Sequence, residues 1–261
     1  IARITGSPLM PRITIWHALN QRAIARRYAA EHHTRYEELD LIVCHLGGGI
    51  SVGVHHHGKA VDVNNALDGE GPFSPERAGT LPAGQLIDLC CSGRYTKDEL
   101  KKRISGRAGL TAHLGTTDVP AIVRRIEEGD KHAGLVLDAM IYQIAKSIGA
   151  ASVVLYGKID AILLTGGMAH SDYIISRLKE RISFLAQVHV YPGEDEMEAC
   201  GAREVELDNE INSPEVYNDP DLLRQKSDEL SDLRFHQEEL FAAWEKAMEE
   251  QEQYEQATGE E

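Results

Sequence analysis

The chain has 261 residues, a formal net charge of −15, 42% apolar residues and four cysteines. That length and apolar content suit one large or two modest domains with a real core, and no apolar run approaches the ~20 residues a membrane-spanning helix needs. Residues 204–261 hold 19 acidic and four basic residues, so all of the net charge lies there; the composition changes near Arg203, and such a tail repels phosphate and excludes nucleic acid as its partner.

Taken in chain order, residues 14–38 read as helical, with Ile15, Leu19, Ile24 and Tyr28 at roughly helical spacing. Residues 41–46 and 50–56 read as strands, joined by Gly47-Gly48-Gly49, and Lys59 to Asn64 alternates as a third strand after the Gly58-Lys59 turn. Residues 64–82 are rich in glycine and proline and form a long irregular loop, which in a compact domain usually carries function. Helices follow at 83–91, 96–104 and 117–128, the last with Thr117 or Asp118 as N-cap. His132 to Gly149 is a strong amphipathic helix whose apolar side is read as Leu135, Leu137, Met140, Ile141, Ile144 and Ile148. Ala161 to Thr165 is a short buried strand leading into Gly166-Gly167; Ser171 to Arg181 is a helix capped by Ser171 or Asp172; Gln187 to Tyr191 is a strand. In the tail, Leu223, Leu230, Leu233, Leu240 and Trp244 form a heptad-like seam that Met248 continues.

Two glycine features bear on chemistry. A Gly-Gly-Gly hairpin presents bare N–H groups that can form an anion-binding concavity. A strand ending in Thr165-Gly166-Gly167 before a helix lets a ribose or phosphate approach the backbone. Either alone is a common turn; together they point to a nucleotide. His55-His56-His57 reads as a solvated hairpin tip, because side chains alternate along a strand and three adjacent ones cannot all face one ion. Cys90-Cys91 reads as helix packing. Cys44, Cys90, Cys91 and Cys200 form no Cys-x-x-Cys pair, so neither a zinc site nor a disulfide framework is expected. With no signal peptide recognised at Ile1, reduced thiols fit a cytoplasmic setting.

The runs Ile15 to Gln21, His45 to Gly53 and Asp62 to Arg77, with Thr165-Gly166-Gly167 and Tyr191 to Glu196, resemble those of butyrate kinases, in the acetate kinase branch of the sugar kinase–actin–Hsp70 superfamily. The resemblance covers roughly residues 2–203. It implies an α/β fold, the ribonuclease H-like second lobe of an actin-like ATPase, followed here by a helical, coiled-coil-like tail over 204–261. It implies ATP and Mg²⁺ as cofactors and transfer of a phosphoryl group between ATP and a short-chain carboxylate, butanoate or a branched analogue. It places the second phosphate loop at His45, Gly47, Gly48 and Gly49 and the adenosine turn at Thr165, Gly166 and Gly167. Catalytic roles fall on His17 and Arg77, and the metal-linked acid falls within Glu194-Asp195-Glu196, read as Glu196. These residue types suit a reaction that depends on positioning and charge neutralisation more than on covalent help.

The family's first lobe, with its Asn-Pro-Gly-Ser-type phosphate loop, has no counterpart before Ile1, so the expectation is one lobe and half a cleft. The stretch Asp219 to Glu250 resembles the acidic coiled-coil segment of some ABC-F type ATPases. The expected partners are a small carboxylate and a second copy of the chain, through the family's dimerisation or the heptad seam; no membrane partner is expected. The alternative to an active kinase is an inactive nucleotide-binding remnant or a coiled-coil interaction protein.

Overall fold

The computed structural model describes residues 1–193, 207 and 209–233. Its contacts divide the chain into two units, Ile1–Gly193 and Glu194–Glu261. No helix among the described residues is long and apolar enough to cross a membrane.

The first unit is built on a five-stranded sheet: β1 (Asp40–Leu46), β2 (Ile50–His56), β3 (Lys59–Val63), β4 (Ala161–Gly166) and β5 (Val188–Pro192). The strand order is β3-β2-β1-β4-β5, with β1–β2 and β2–β3 antiparallel and β1–β4 and β4–β5 parallel. Only β2 runs against the others, which is the ribonuclease H-like arrangement.

Side-chain alternation gives the sheet two differently used faces. On one face Ile42, Cys44 and Leu46 of β1, Ile50, Val52 and Val54 of β2, and Ile162 and Leu164 of β4 enter the larger core. Its helical side is α5 (Val119–Glu127), α6 (Lys131–Ser152) and α7 (Asp172–Ile182). α6 is the longest of these, and its 22 residues run about 33 Å. Asp130 caps it by accepting from the Ala133 N–H at 2.9 Å. The other face is covered by α1 (Ala18–Glu31), whose Ile24, Ala25, Tyr28 and Ala29 pack with Tyr36, Leu41, Val43 and Leu163.

Several expected elements change on contact with the structure. The 14–38 helix is shorter, α1 ending at Glu31 and a single 3-10 turn covering Tyr36–Glu38. A six-residue helix, α4 (Gly109–Leu114), follows α2 (Ala83–Cys91) and α3 (Lys97–Ile104) and was not expected. Leu135 is 69% exposed. It lies two residues, about 200°, from Leu137, which puts it on the opposite side of α6. Cys90 and Cys91 are exposed rather than packed in a core, and α2 buries no residue. His55 belongs to the core rather than to a solvated tip.

In the second unit Pro214–Tyr217 is a short helix and residues 220–233 are helical. Leu230 and Leu233 are buried. Leu223 is half-buried, and Leu240, Trp244 and Met248 of the proposed seam lie outside the described residues.

Candidate active site

The cross-strand register places the candidate site. His45 of β1 pairs with Ser51 of β2 and, on its other side, with Thr165 of β4. All three therefore stand on the α1 face, where the apolar neighbours Leu46, Ile50 and Leu164 do not. Gly47–Gly49 closes the β1–β2 hairpin, with the Gly47 N–H bonded to the Gly49 carbonyl at 3.1 Å.

α1 supplies the opposing polar groups. His17 stands at its N-cap position, and Asn20 and Gln21 follow at three and four residues, one face of a helix. The His17 and His45 rings stack at 3.7 Å between centroids and 14° between planes. His45 Nδ1 faces Asn20 Oδ1 at 2.9 Å, and His17 Nδ1 faces Ser51 Oγ at 2.8 Å.

A buried chain of hydrogen bonds continues from Ser51, and its polarity follows from one fixed point. The Ser51 carbonyl can only accept, so the Gln21 Nε2 that faces it at 3.2 Å donates, and donates also to Ser51 Oγ at 2.8 Å. Gln21 Oε1 then accepts from His55 Nε2 at 3.0 Å. Burial holds His55 neutral, its pKa pushed down to about 4 with a further push from Arg22. Its Nδ1 therefore accepts from the Tyr36 hydroxyl at 2.5 Å. Burial also pushes the Tyr36 phenol up to about 12, so it stays a donor. Ser51 Oγ, which accepts from Gln21, also faces His17 Nδ1, and this contact holds the plane of the His17 ring.

Arg77 reaches the hairpin from the long loop. A Cβ added at Gly49 would lie 1.8 Å from Arg77 Nη1, so only glycine lets the guanidinium lie against this backbone. Arg77 Nη1 donates to the Ala66 carbonyl at 2.7 Å, and its remaining guanidinium donors have no hydrogen-bond partner among the described residues. Burial lowers the Arg77 pKa, and Glu76 opposes that shift. The loop is tied to the hairpin by Ser74 Oγ, which donates to the Gly48 carbonyl at 2.6 Å. Glu70 is engaged by Arg12 at 2.6 Å, so it does not compete for Arg77.

The adenosine-type turn is held at the end of β4. The Gly166 N–H bonds the Gly193 carbonyl at 3.0 Å, and the Gly193 N–H bonds the Gly166 carbonyl at 3.2 Å. Thr165 Oγ1 donates to the same Gly193 carbonyl at 3.3 Å.

Of the expected site residues, the structure brings His17, His45, Gly47, Gly48, Gly49 and Arg77 to one end of the sheet. Thr165, Gly166 and Gly167 follow at the neighbouring strand end. Glu196 lies outside the described residues, so the expected metal ligand has no position here. Asn20, Gln21, Ser51 and Ser74 were missed. The spacing of Asn20 and Gln21 from His17 was the available signal, but what they meet on β1 and β2 depends on tertiary contact.

A bare-backbone hairpin, a guanidinium with uncommitted donors and a histidine whose ring is held in place suit an anionic phosphoryl group. The ribonuclease H-like sheet that carries them, with its Thr-Gly-Gly turn, has the actin-like architecture. The model of the acetokinase family matches residues 16–204, and the chain belongs to that family. A probable butyrate kinase of Bacteroides thetaiotaomicron is 76% identical over 216 residues, 81% of this chain and 61% of that protein. A second, from Phocaeicola vulgatus, is 57% identical over 82% of this chain and 62% of that protein. The chain thus spans about three fifths of the length of these curated relatives. Among solved structures, an acetate kinase of Porphyromonas gingivalis matches 77% of this chain and 59% of its own, with a TM-score of 0.69 at 20% identity. An acetate kinase of Entamoeba histolytica matches 78% of this chain and 62% of its own, with a TM-score of 0.67 at 20% identity. At that identity the likeness is one of fold.

Proposed function

We propose that this chain is the phosphate- and adenosine-binding lobe of an ATP-dependent carboxylate kinase that interconverts a short-chain carboxylate and its acyl phosphate, with butanoate as the preferred acceptor. The observation that carries the reading is the convergence of His17, Arg77 and the Gly47–Gly49 backbone at one end of β1 and β2.

The division of labour follows from the chemistry. Phosphoryl transfer between ATP and a carboxylate moves a phosphoryl group with three charged equatorial oxygens, and catalysis is mostly in-line positioning and neutralisation. The Gly47–Gly49 N–H groups receive nucleotide phosphate oxygens, and Arg77 spans oxygens of the group in transit with its planar fork. His17 donates to the same group, and its ring is fixed by the Ser51 hydrogen bond and the His45 stack. The Thr165-Gly166-Gly167 turn receives the nucleoside. Mg²⁺, for which the family resemblance points to Glu196, would supply additional charge neutralisation when bound. Self-association is part of the same proposal.

Two measurements test it. Calorimetry with ADP and Mg²⁺ should give saturable heat with this chain and none with Gly49→Ala, whose Cβ displaces Arg77. Hydroxylamine trapping of acyl phosphate, with butanoate and ATP, should give product that Arg77→Ala abolishes. Equal product from both proteins, or equal nucleotide heat from Gly49→Ala, refutes the assignment of these residues.

A further inference from the structure

The other end of the β1–β2 ladder carries a second convergence of polar side chains. Asp40 opens β1 and stands in register with His56, the last residue of β2. His56 in turn pairs with Lys59, so β2 and β3 are joined by the two residues His57 and Gly58. His57 has φ +48° and Gly58 φ +78°, the left-handed pair of a type I′ hairpin turn. The His57 N–H bonds the Leu39 carbonyl at 3.0 Å, which ties the turn to the start of β1.

This turn removes His57 from strand alternation. In a continued strand His56 and His57 would face opposite sides. Here their rings lie 4.2 Å apart, tilted by 35°. His56 Nδ1 lies 2.5 Å and His57 Nε2 3.8 Å from the same Asp40 Oδ1. The three donor atoms all lie within 4.8 Å of one another.

We propose that Asp40, His56 and His57 form a binding site for a borderline-soft divalent transition-metal ion, of which Zn²⁺ is the type. Two imidazoles and a carboxylate are a donor set that suits Zn²⁺, Co²⁺, Ni²⁺ or Cu²⁺, whereas Mg²⁺ and Ca²⁺ prefer oxygen throughout. Ligands about 2.0 Å from a tetrahedral ion stand ~3.3 Å apart. The His56–Asp40 distance must open slightly and the His57–Asp40 distance must close. Both imidazoles are more than half exposed, so their rotamers adjust freely and a water can take the fourth position. The backbone beneath is fixed: the Asp40 N–H is held by Asp160 Oδ2 at 2.7 Å. β1 spans seven residues, about 23 Å, so the ion sits far from the Gly47–Gly49 hairpin. Its effect is therefore to clip the β2–β3 turn to the start of β1, and it takes no part in phosphoryl transfer.

The test uses the full chain with Mg²⁺ in excess, titrated with Zn²⁺ by calorimetry and with Co²⁺ by its visible absorption. The variants are Asp40→Asn and His57→Asn, the second chosen because asparagine keeps the left-handed turn. The expected result is one saturable site per chain, an upward shift in Tm with Zn²⁺, and an affinity at least about tenfold weaker in each variant, since even partners beyond the ligands change metal affinity by that much. Wild-type protein without a saturable site, or variants that bind as tightly as wild type, would overturn it.

Discussion

Gly53 is the position where the buried hydrogen-bond chain is most exposed to a minimal change. A Cβ built there lies 2.1 Å from Gln21 Oε1 and 3.2 Å from both Gln21 Cδ and His55 Nε2. Gln21 is fully buried and engaged by the Ser51 carbonyl, Ser51 Oγ and His55, so it has no free space to swing into. Gly53→Ala therefore strips the His55 Nε2–H of its partner and breaks the Gln21 amide away from Ser51. Each buried polar group left unpaired costs about 1–3 kcal/mol, and alanine in a strand returns about 0.5–1 kcal/mol relative to glycine. The net loss is about 1–5 kcal/mol, which for a unit of this size lowers Tm by roughly 2–20 °C. Thermal unfolding of Gly53→Ala in wild-type and Gln21→Ala backgrounds measures it as a double-mutant cycle. In the Gln21→Ala background the new methyl meets no amide and should be neutral or stabilising. An equal Tm change in both backgrounds refutes the argument, because the methyl would then be acting on something other than Gln21.

The same chain gives a pH dependence. His55 has a folded pKa of about 4 against an ordinary 6.5, so between those values the unfolded chain binds the extra proton and stability rises with pH. Lowering the pH from 7 to 5 at fixed temperature should cost the wild type about 2 kcal/mol more than His55→Asn, a difference read from urea unfolding at each pH; parallel curves for the two proteins would exclude a neutral buried His55. Deletion of residues 213–261 should leave cooperative unfolding of the remaining chain intact, as expected if residues 1–203 form one folding unit, and loss of the transition in calorimetry would contradict the two-part organisation.

Much of the sheet was legible because its signals are local. β1 and β2 are apolar runs flanking glycines, and α6 has a long amphipathic period with Asp130 as cap. α4 was not legible: six residues beginning at Gly109 and ending against Gly115 at φ +76° carry too little periodicity. The histidine run was misread for a different reason. Three adjacent histidines look uniformly polar, yet His55 is buried by Tyr36 and Gln21, which lie 19 and 34 residues away in sequence. Alternation correctly separates His55 from His56, but it stops at the hairpin turn, and the sequence pattern Gly58-Lys59 did not reveal that His57 is itself a turn residue. At the candidate site the glycines, His17 and Arg77 were legible through the runs that carry the family resemblance. The groups that orient them were not, since Ser51 and Asn20 acquire meaning only through strand register and helix packing.

That register couples the core to the chemistry. In β1 and β2 the side chains that fill the larger core, Ile42, Cys44, Leu46, Ile50, Val52 and Val54, alternate with those that build the polar chain, His45, Ser51 and His55. A one-residue slip would send every member of one set to the other's face. It would place His45, Ser51 and His55 against α6 with no polar partner and expose the aliphatic set to Asn20 and Gln21. Burial of six apolar side chains thus specifies the register, and the register in turn holds Ser51 opposite His45 and beneath His17. The orientation of the candidate catalytic histidine is therefore fixed from the opposite face of the sheet, by residues that never touch it.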